Sequence, residues 1–311
     1  MFRYIVRLVV RAVITLILVT AFIFFLYRLA PSHGTTVIPS ISSTPEQIAA
    51  LNAQPAILQY LRILGQWATG NFGYFDIYNL PITSILGNAL PVTTVLLLGA
   101  LILTLIVAVP AGIFQGTHHD GVFDHVLTGI EFTFFSTPLL LSAPLLVGWF
   151  VFDAPWFPPQ APPSGDFASL MTHFNAMALP IVTLALPSIG RLSRYVRSAV
   201  LDQVTMDYIL TARAKGCGPF RIVRKHILRN ALIPILTFIG ASIPLLLSGA
   251  MVVEALFNLP GLGYLLWQAG YPKHLYFPIE IAILIVTATA LVAMNLVIDI
   301  ILAAIDPRVT H

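Results

Sequence analysis

Charge is scarce in this chain of 311 residues, and six of its sixteen basic side chains fall in the stretch Asp207–Gly240. They are Arg213, Lys215, Arg221, Arg224, Lys225 and Arg229. Guanidinium and ammonium groups so placed can meet carboxylates on a partner protein or the headgroups of anionic lipid. That is recognition chemistry, not bond-breaking chemistry. Motifs that would carry reactions are missing from the sequence. It has no Gly-x-x-x-x-Gly-Lys-Ser/Thr loop to cradle nucleotide phosphates, no His-Glu-x-x-His zinc pair and no Gly-x-Ser-x-Gly nucleophile turn. His118, His119 and His125 share a short loop with Asp120 and Asp124. Adjacent histidines rarely converge on one ion, so no metal site is assigned there. Cys217 is the only cysteine, which excludes an intrachain disulfide, and no role is assigned to its thiol.

The elements that hold the basic loop are readable locally. Tyr208–Lys215 contains neither Gly nor Pro and reads as a short helix. Asp207 is placed to cap its start by accepting a backbone N–H bond. Gly216 suits its end, and Gly218-Pro219 suits a turn. A second helix is expected from about Phe220 towards Pro234, running on into the next apolar segment. Ala212, Ala214 and Gly216 are small enough for another protein to approach closely, with Arg213 and Lys215 beside them.

The rest of the chain explains why charge is scarce. Hydrophobic residues make up 58% and charged residues only 9%, against about 25% charged in soluble domains. Mean hydropathy is +0.89. The apolar runs are continuous and about twenty residues long, which predicts helices that cross a membrane and not a barrel. Six spans are expected, at about Val9–Leu29, Val92–Phe114, Ile130–Phe152, Ala168–Ile189, Leu232–Val253 and Ile281–Ala303. Arg3, Arg7 and Arg11 precede the first, which has no small-residue cleavage site after it and reads as an uncleaved span. With the N-terminus inside, thirteen of the sixteen basic residues face the cytoplasm and only Arg28, Arg62 and Lys273 lie outside. The positive-inside rule then puts both termini and the basic loop in the cytoplasm. The net charge of +3 reflects this topology and carries no argument for nucleic acid.

A long external segment follows the first span. Thr44 or Ser43 can cap a short helix within it, Ala56–Ala68 is amphipathic, and Gly70-x-x-Gly73 closes it. Two readings fit that segment equally: a lid that meets a substrate-delivery protein, or an interfacial anchor. Glu131, at the start of the third span, reads as a snorkelling or helix-end residue. Trp149, Trp156 and Phe157 read as an interfacial belt. Prolines 110, 138, 144, 180, 187, 234 and 244 lie inside spans, where each removes a backbone hydrogen bond, which favours a gated pathway over a rigid bundle. Glu254, Phe257, Pro260, Gly261 and Gly263 lie after the fifth span. The Pro-Gly-x-Gly within that set predicts a tight external turn with unusual backbone angles.

Thr211-Ala212-Arg213-Ala214-Lys215-Gly216, followed by His226-x-Leu228-Arg229-Asn230-Ala231-Leu232 and Pro234, resembles the signature loop of importer-type ABC permeases. The resemblance is to the peptide/nickel branch in particular, with its dipeptide and oligopeptide B-type subunits. Leu210 stands where the wider family has Glu, and His226-Ile227-Leu228-Arg229 replaces its Ile-x-Leu-Pro; both departures are typical of the peptide branch. Glu254-x-x-Phe257-x-x-Pro260-Gly261-Leu262-Gly263 resembles a second family motif. So do Gln59-Tyr60-Leu61 with Gly70-x-x-Gly73, and Asn295, Asp299 and Asp306-Pro307-Arg308 at the tail. Leu29-Ala30-Pro31-Ser32-His33-Gly34 and Lys273–Pro278 match the family only loosely.

The resemblance implies an all-α integral membrane protein of the type I importer permease fold. Residues 1–90 would hold the first helix and the external segment. Residues 91–304 would form the transmembrane core with a cytoplasmic coupling loop at about 191–231, and 305–311 the tail. Tyr208, Thr211, Ala212, Arg213, Ala214, Lys215 and Gly216 would dock into an ATPase subunit, supported by His226, Leu228, Arg229, Asn230 and Pro234. The implied partners are two ATPase subunits, a second homologous permease, an extracellular solute-binding protein and membrane lipid, in a bacterial inner or plasma membrane. No cofactor is expected on this chain, and ATP hydrolysis belongs to the partners. Peptides are the implied cargo; nickel, oligosaccharide and haem remain open within the family. An ion-gradient-driven carrier is the rival class. Such carriers place ionisable residues near mid-membrane, and the second, third, fifth and sixth spans have none at their centres.

Overall fold

The computed structural model describes residues 2–29, 53–75, 80–158, 166–269 and 277–305. The possible caps Ser43 and Thr44, the Lys273 segment and the Asp306 tail lie outside them. Helices dominate. Among the described residues the only strands are β1 (Tyr74–Phe75) and β2 (Leu80–Pro81), an antiparallel pair with Tyr74 opposite Pro81.

Among the described residues, five helical runs are long and apolar enough to cross a membrane. They are α1 (Phe2–Leu29), α3 (Ile82–Thr117), α7 (Phe174–Val204), the run Pro219–Leu256 and α12 (Phe277–Ile305). The short α6 (Phe167–Thr172) precedes α7, so the expected span Ala168–Ile189 instead breaks at His173 and runs on to Val204. Between α3 and α7 the expected third span is broken. Helix α4 (Val122–Ser136) and α5 (Leu139–Val147, continued by a wide π-helical turn over Gly148–Asp153) meet at a bend of 103°. The cause is Thr137-Pro138. Thr137 takes the extended conformation (φ −79°, ψ 119°) that a following proline imposes, and the α4 ladder stops there. Prolines 91, 110, 144, 180, 187, 234 and 244 stay inside their helices, so among the described residues Pro138 alone interrupts a span outright. Trp149 and Trp156 are exposed near the end of the bent pair, where lipid or interface can meet them.

The run Pro219–Leu256 is 38 residues long. It comprises α9 (Pro219–Ile222), a π-helical turn over Val223–Ile227 and α10 (Leu228–Leu256). Pro219 begins a helix, not a turn, at a position whose N–H has no helical partner.

The core lies where α3, α7 and α10 pack. Val92, Leu96 and Ala100 of α3 meet Met177, Leu184, Ala185, Val196 and Val200 of α7. Small residues let the backbones close in. A Cβ on Gly112 would lie 2.5 Å from the Ser193 carbonyl oxygen, and one on Gly190 would lie 2.4 Å from that of Glu131. Tyr195 of α7 stacks on Phe238 of α10 at 4.3 Å between ring centres.

The amphipathic segment that follows α1 forms α2 (Ala56–Ala68), with the expected bounds. It folds back on the C-terminal end of α1. Tyr60, Ile63 and Trp67 pack with Phe24 and with Ile285 of α12. The Tyr60 hydroxyl lies 2.9 Å from that of Thr20, and Arg28 donates to Gln59 at 2.7 Å. Gly70 and Gly73 both take positive φ, +76° and +86°, and turn the chain into the β-hairpin.

Candidate functional site

The basic loop carries α8 (Asp207–Ala214) between the end of α7 and the start of α9. Its N-cap is Met206, extended at ψ 144°, with no side-chain cap bond. Asp207 therefore does not cap the helix; it is the first helical residue, where its charge still favours the N-terminal end of the dipole. At the other end Gly216 takes φ +77°, its N–H bonds to the Arg213 carbonyl at 2.9 Å, and the Cys217 N–H bonds to that of Ala212 at 3.1 Å. These paired bonds form a left-handed cap that glycine adopts without strain.

The short helix has two faces. Ile209 and Ala212 are buried against the protein's own core. Ala212 thus faces inward and is not available to a partner, contrary to the expectation from its size. Leu210, Thr211, Arg213, Ala214, Lys215 and Gly216 are exposed. Behind the helix, Tyr208 donates to Gln203 at 2.7 Å and accepts from Asn230 at 3.1 Å. That bridge ties α8 to the end of α7 and to the start of α10. The His226 ring lies 6.4 Å from that of Tyr208. Leu228 and Pro234 are half-buried in α10, and Arg229 is exposed. The supporting residues therefore brace the loop, with Asn230 as the member that bonds directly.

At the opposite end of α10, Glu254 is fully buried. Its Oε1 accepts from the Thr93 hydroxyl of α3 at 2.7 Å. Its Oε2 accepts from the backbone N–H of Gly263 at 2.7 Å and of Tyr264 at 3.1 Å. Those two groups open α11 (Leu262–Ala269), so the carboxyl caps that helix. The Thr93 hydroxyl also accepts from the Leu262 N–H at 2.9 Å. One carboxyl and one hydroxyl thereby lock three helices together. The unusual backbone angle is not at Gly261 or Gly263: the residue at positive φ in this turn is Asn258, at +52°. The glycines are needed for space. A Cβ on Gly261 would lie 2.4 Å from the Glu254 carboxyl, and one on Gly263 would lie 2.4 Å from Met251 Cα. Phe257 packs against the core, and Pro260 is exposed.

A third polar cluster escaped sequence reasoning. Gln115, Glu131 and Ser193 are all buried between α3, α4 and α7. Ser193 donates to Glu131, and Gln115 Nε2 lies 3.3 Å from Glu131 Oε2. Glu131 therefore does not snorkel; neighbouring helices satisfy it where they pack most closely. One turn away, Arg197 grips Asp124 bidentately at 2.8 and 2.7 Å. Glu131 in an apolar run and Arg197 one turn past Ser193 were the available signals, but a lone sequence does not pair them. Among the described residues no three His, Cys, Asp or Glu side chains converge as metal ligands. His125 and His118 lie within hydrogen-bond reach of the carbonyls of Gly121 and Phe114.

Residues 108–311 match the profile of the family described as binding-protein-dependent transport system inner membrane component, and residues 1–75 match its N-terminal companion. The chain is 32% identical to the oligopeptide transport system permease protein AppB of Bacillus subtilis, over the full length of both. It is 31% identical to the dipeptide transport system permease protein DppB of Lactococcus lactis, over 99% of each chain. Among solved structures, an inward-facing MetNI methionine ABC transporter chain shares the fold with a TM-score of 0.57 at 18% identity, over 69% of this chain and 93% of that one. A multi-pass helical protein with a braced basic loop at one end and a carboxyl-locked turn at the other, this chain belongs to the family of binding-protein-dependent transport system inner membrane components, the permease subunits of ABC importers.

Proposed function

We propose that this chain forms part of the translocation pathway of an ATP-driven importer of peptides, and that Thr211–Gly216 couples it to separate ATPase subunits. The observation that carries the coupling role is the two-faced α8. It shows Leu210, Arg213 and Lys215 to solvent while Ile209, Ala212 and the Tyr208–Asn230 bond hold it from behind. A helix held this way transmits a push on its outer face into α7 and α10 without bending. The peptide cargo is supported by the relatives' names. A second homologous permease would complete the pathway, two ATPases would supply the stroke, and an extracellular solute-binding protein would deliver cargo to the Glu254 turn. Both termini and the basic loop would lie in the cytoplasm, since the basic residues cluster there. The chain itself would hold no cofactor.

The test is a pair of variants in the assembled transporter. Arg213→Glu with Lys215→Glu reverses the charge shown to the partner, and like charges meeting at an interface cost several kcal/mol. Gly216→Val forces a β-branched residue into the left-handed region. Both should insert normally, lose co-purifying ATPase and lose ATP-dependent peptide uptake in proteoliposomes. If both keep the ATPase and full uptake, α8 is not the coupling element.

A further inference from the structure

A groove of about 420 Å³ opens between α1, α10 and α12. Its polar lining is Arg11, Thr15, Thr237, Asn295 and Asp299. The Thr15 and Thr237 hydroxyls are already committed, donating to the carbonyls of Arg11 and Ile233 at 2.9 and 3.0 Å. Arg11 and Asp299 are different. They line the same groove, yet neither has an ion-pair partner within 4.0 Å among the described residues. Two opposite charges on one groove wall, left apart, favour a ligand that carries both signs.

Depth narrows the choice. Arg11 lies about 13 Å along α1 from its first residue, and Asp299 about 9 Å from the end of α12, at 1.5 Å per residue. A helix the length of α1 overhangs a hydrocarbon core of about 30 Å by a turn or so at each end. On that count Asp299 sits about 2 Å and Arg11 about 7 Å inside the boundary between headgroups and acyl chains, at the end of the bundle where the chain begins, and the long Arg11 side chain can reach out to the headgroup level. Further along the same helices Ile14, Leu18 and Val297 are exposed and apolar, a surface that acyl chains can cover.

We propose that this groove binds the headgroup of a phosphatidylethanolamine-class lipid. Its phosphate would accept from the Arg11 guanidinium, and its primary ammonium would donate to Asp299 and to the side-chain carbonyl of Asn295. Phosphatidylglycerol satisfies Arg11 but leaves Asp299 unpaired. Phosphatidylcholine satisfies Arg11 but has no N–H to donate. The site is independent of the cargo and of the coupling loop.

The experiment uses the complete transporter in nanodiscs of equal phosphatidylethanolamine, phosphatidylglycerol and phosphatidylcholine. Lipid retained after detergent extraction is counted by mass spectrometry. The wild type should enrich phosphatidylethanolamine over phosphatidylcholine by roughly tenfold, the ratio expected from one charge-assisted hydrogen bond. Asp299→Asn should erase that preference, while Arg11→Gln should lower retention of all three lipids. Equal retention of the ethanolamine and choline lipids by the wild type overturns the proposal without reliance on any variant. An unchanged preference in Asp299→Asn overturns it as well. So does efficient crosslinking of a Thr15→Cys variant to a second permease chain, because a protein helix would then fill the groove.

Discussion

The Glu254 lock makes Gly263→Ala the sharpest perturbation available. The new methyl carbon would start 2.4 Å from Met251 Cα, and relaxed carbon–carbon contact lies near 3.5–4.0 Å. Met251 Cα is backbone inside α10 and cannot rotate aside, so α11 must retreat by roughly 1.1–1.6 Å to reach that contact. A retreat of that size stretches the 2.7 Å bond from Gly263 N–H to Glu254 to roughly 4 Å, past any useful hydrogen bond. The bond from Tyr264, already 3.1 Å, goes with it. The Gly263 and Tyr264 N–H groups are part-buried, so losing both bonds falls at the lower end of the penalty of about 1–3 kcal/mol per buried group, roughly 2 kcal/mol together. Gly218→Ala is the control. Nothing lies within 4 Å of its Cβ position, and its φ is ordinary at −68°. Thermal unfolding of the purified transporter and peptide uptake in proteoliposomes are measured side by side. Gly263→Ala should melt several degrees lower and transport poorly, while Gly218→Ala should match the wild type. Equal melting and uptake for both variants would refute the claim that the turn depends on this close approach.

Gly190→Ala places a methyl 2.4 Å from the Glu131 carbonyl oxygen and should force α4 off α7; a melting temperature no lower than wild type contradicts that packing. Asp124→Ala removes a bidentate pair whose arginine is 30% exposed, so solvent screening limits the expected loss to about 1 kcal/mol, read as a small shift in melting. Glu131→Ala removes the acceptor that both Ser193 and Gln115 use and should cost more than Asp124→Ala; the reverse order in thermal melts would argue against the buried cluster. Cys217, the only thiol, should react with a membrane-impermeant maleimide in inverted vesicles and not in intact cells; labelling of intact cells would reverse the proposed orientation.

The features legible in the sequence were those with a local cause. Continuous apolar runs set the spans, Gly216 ended α8, and Ala56–Ala68 folded as an amphipathic helix with its aromatic side inward. Features that depend on what lies across a helix interface were not legible. The Ile130–Phe152 run is unbroken in hydropathy, so Thr137-Pro138 looked like other tolerated prolines until the structure bent there. Ala212 is small for its own core and not for a partner, a distinction set by which side of α8 meets Ile222 and Ile227. Gly261 and Gly263 were marked for a turn and its backbone freedom, but Gly263 lies in the first turn of α11 and the constraint on both is the Glu254 carboxyl and the Met251 backbone beside them. Thr93 sits 161 residues from Glu254 and has nothing in its own neighbourhood to mark it.

The 38-residue run Pro219–Leu256 has a mechanical consequence. At 1.5 Å per residue it is a rod of about 57 Å. Tyr195 clamps it at Phe238, 19 residues from one end and 18 from the other. With that stack as the pivot, the rod would be a lever with equal arms, and a sideways displacement of one end would move the other by a similar distance in the opposite sense. Glu254 is two residues from the far end and its hydrogen bonds tie α11 and α3 to it, beside the apolar packing of the same helices. Under the proposed coupling role, a sideways push at the basic loop would therefore swing the Glu254 turn at the far end the other way.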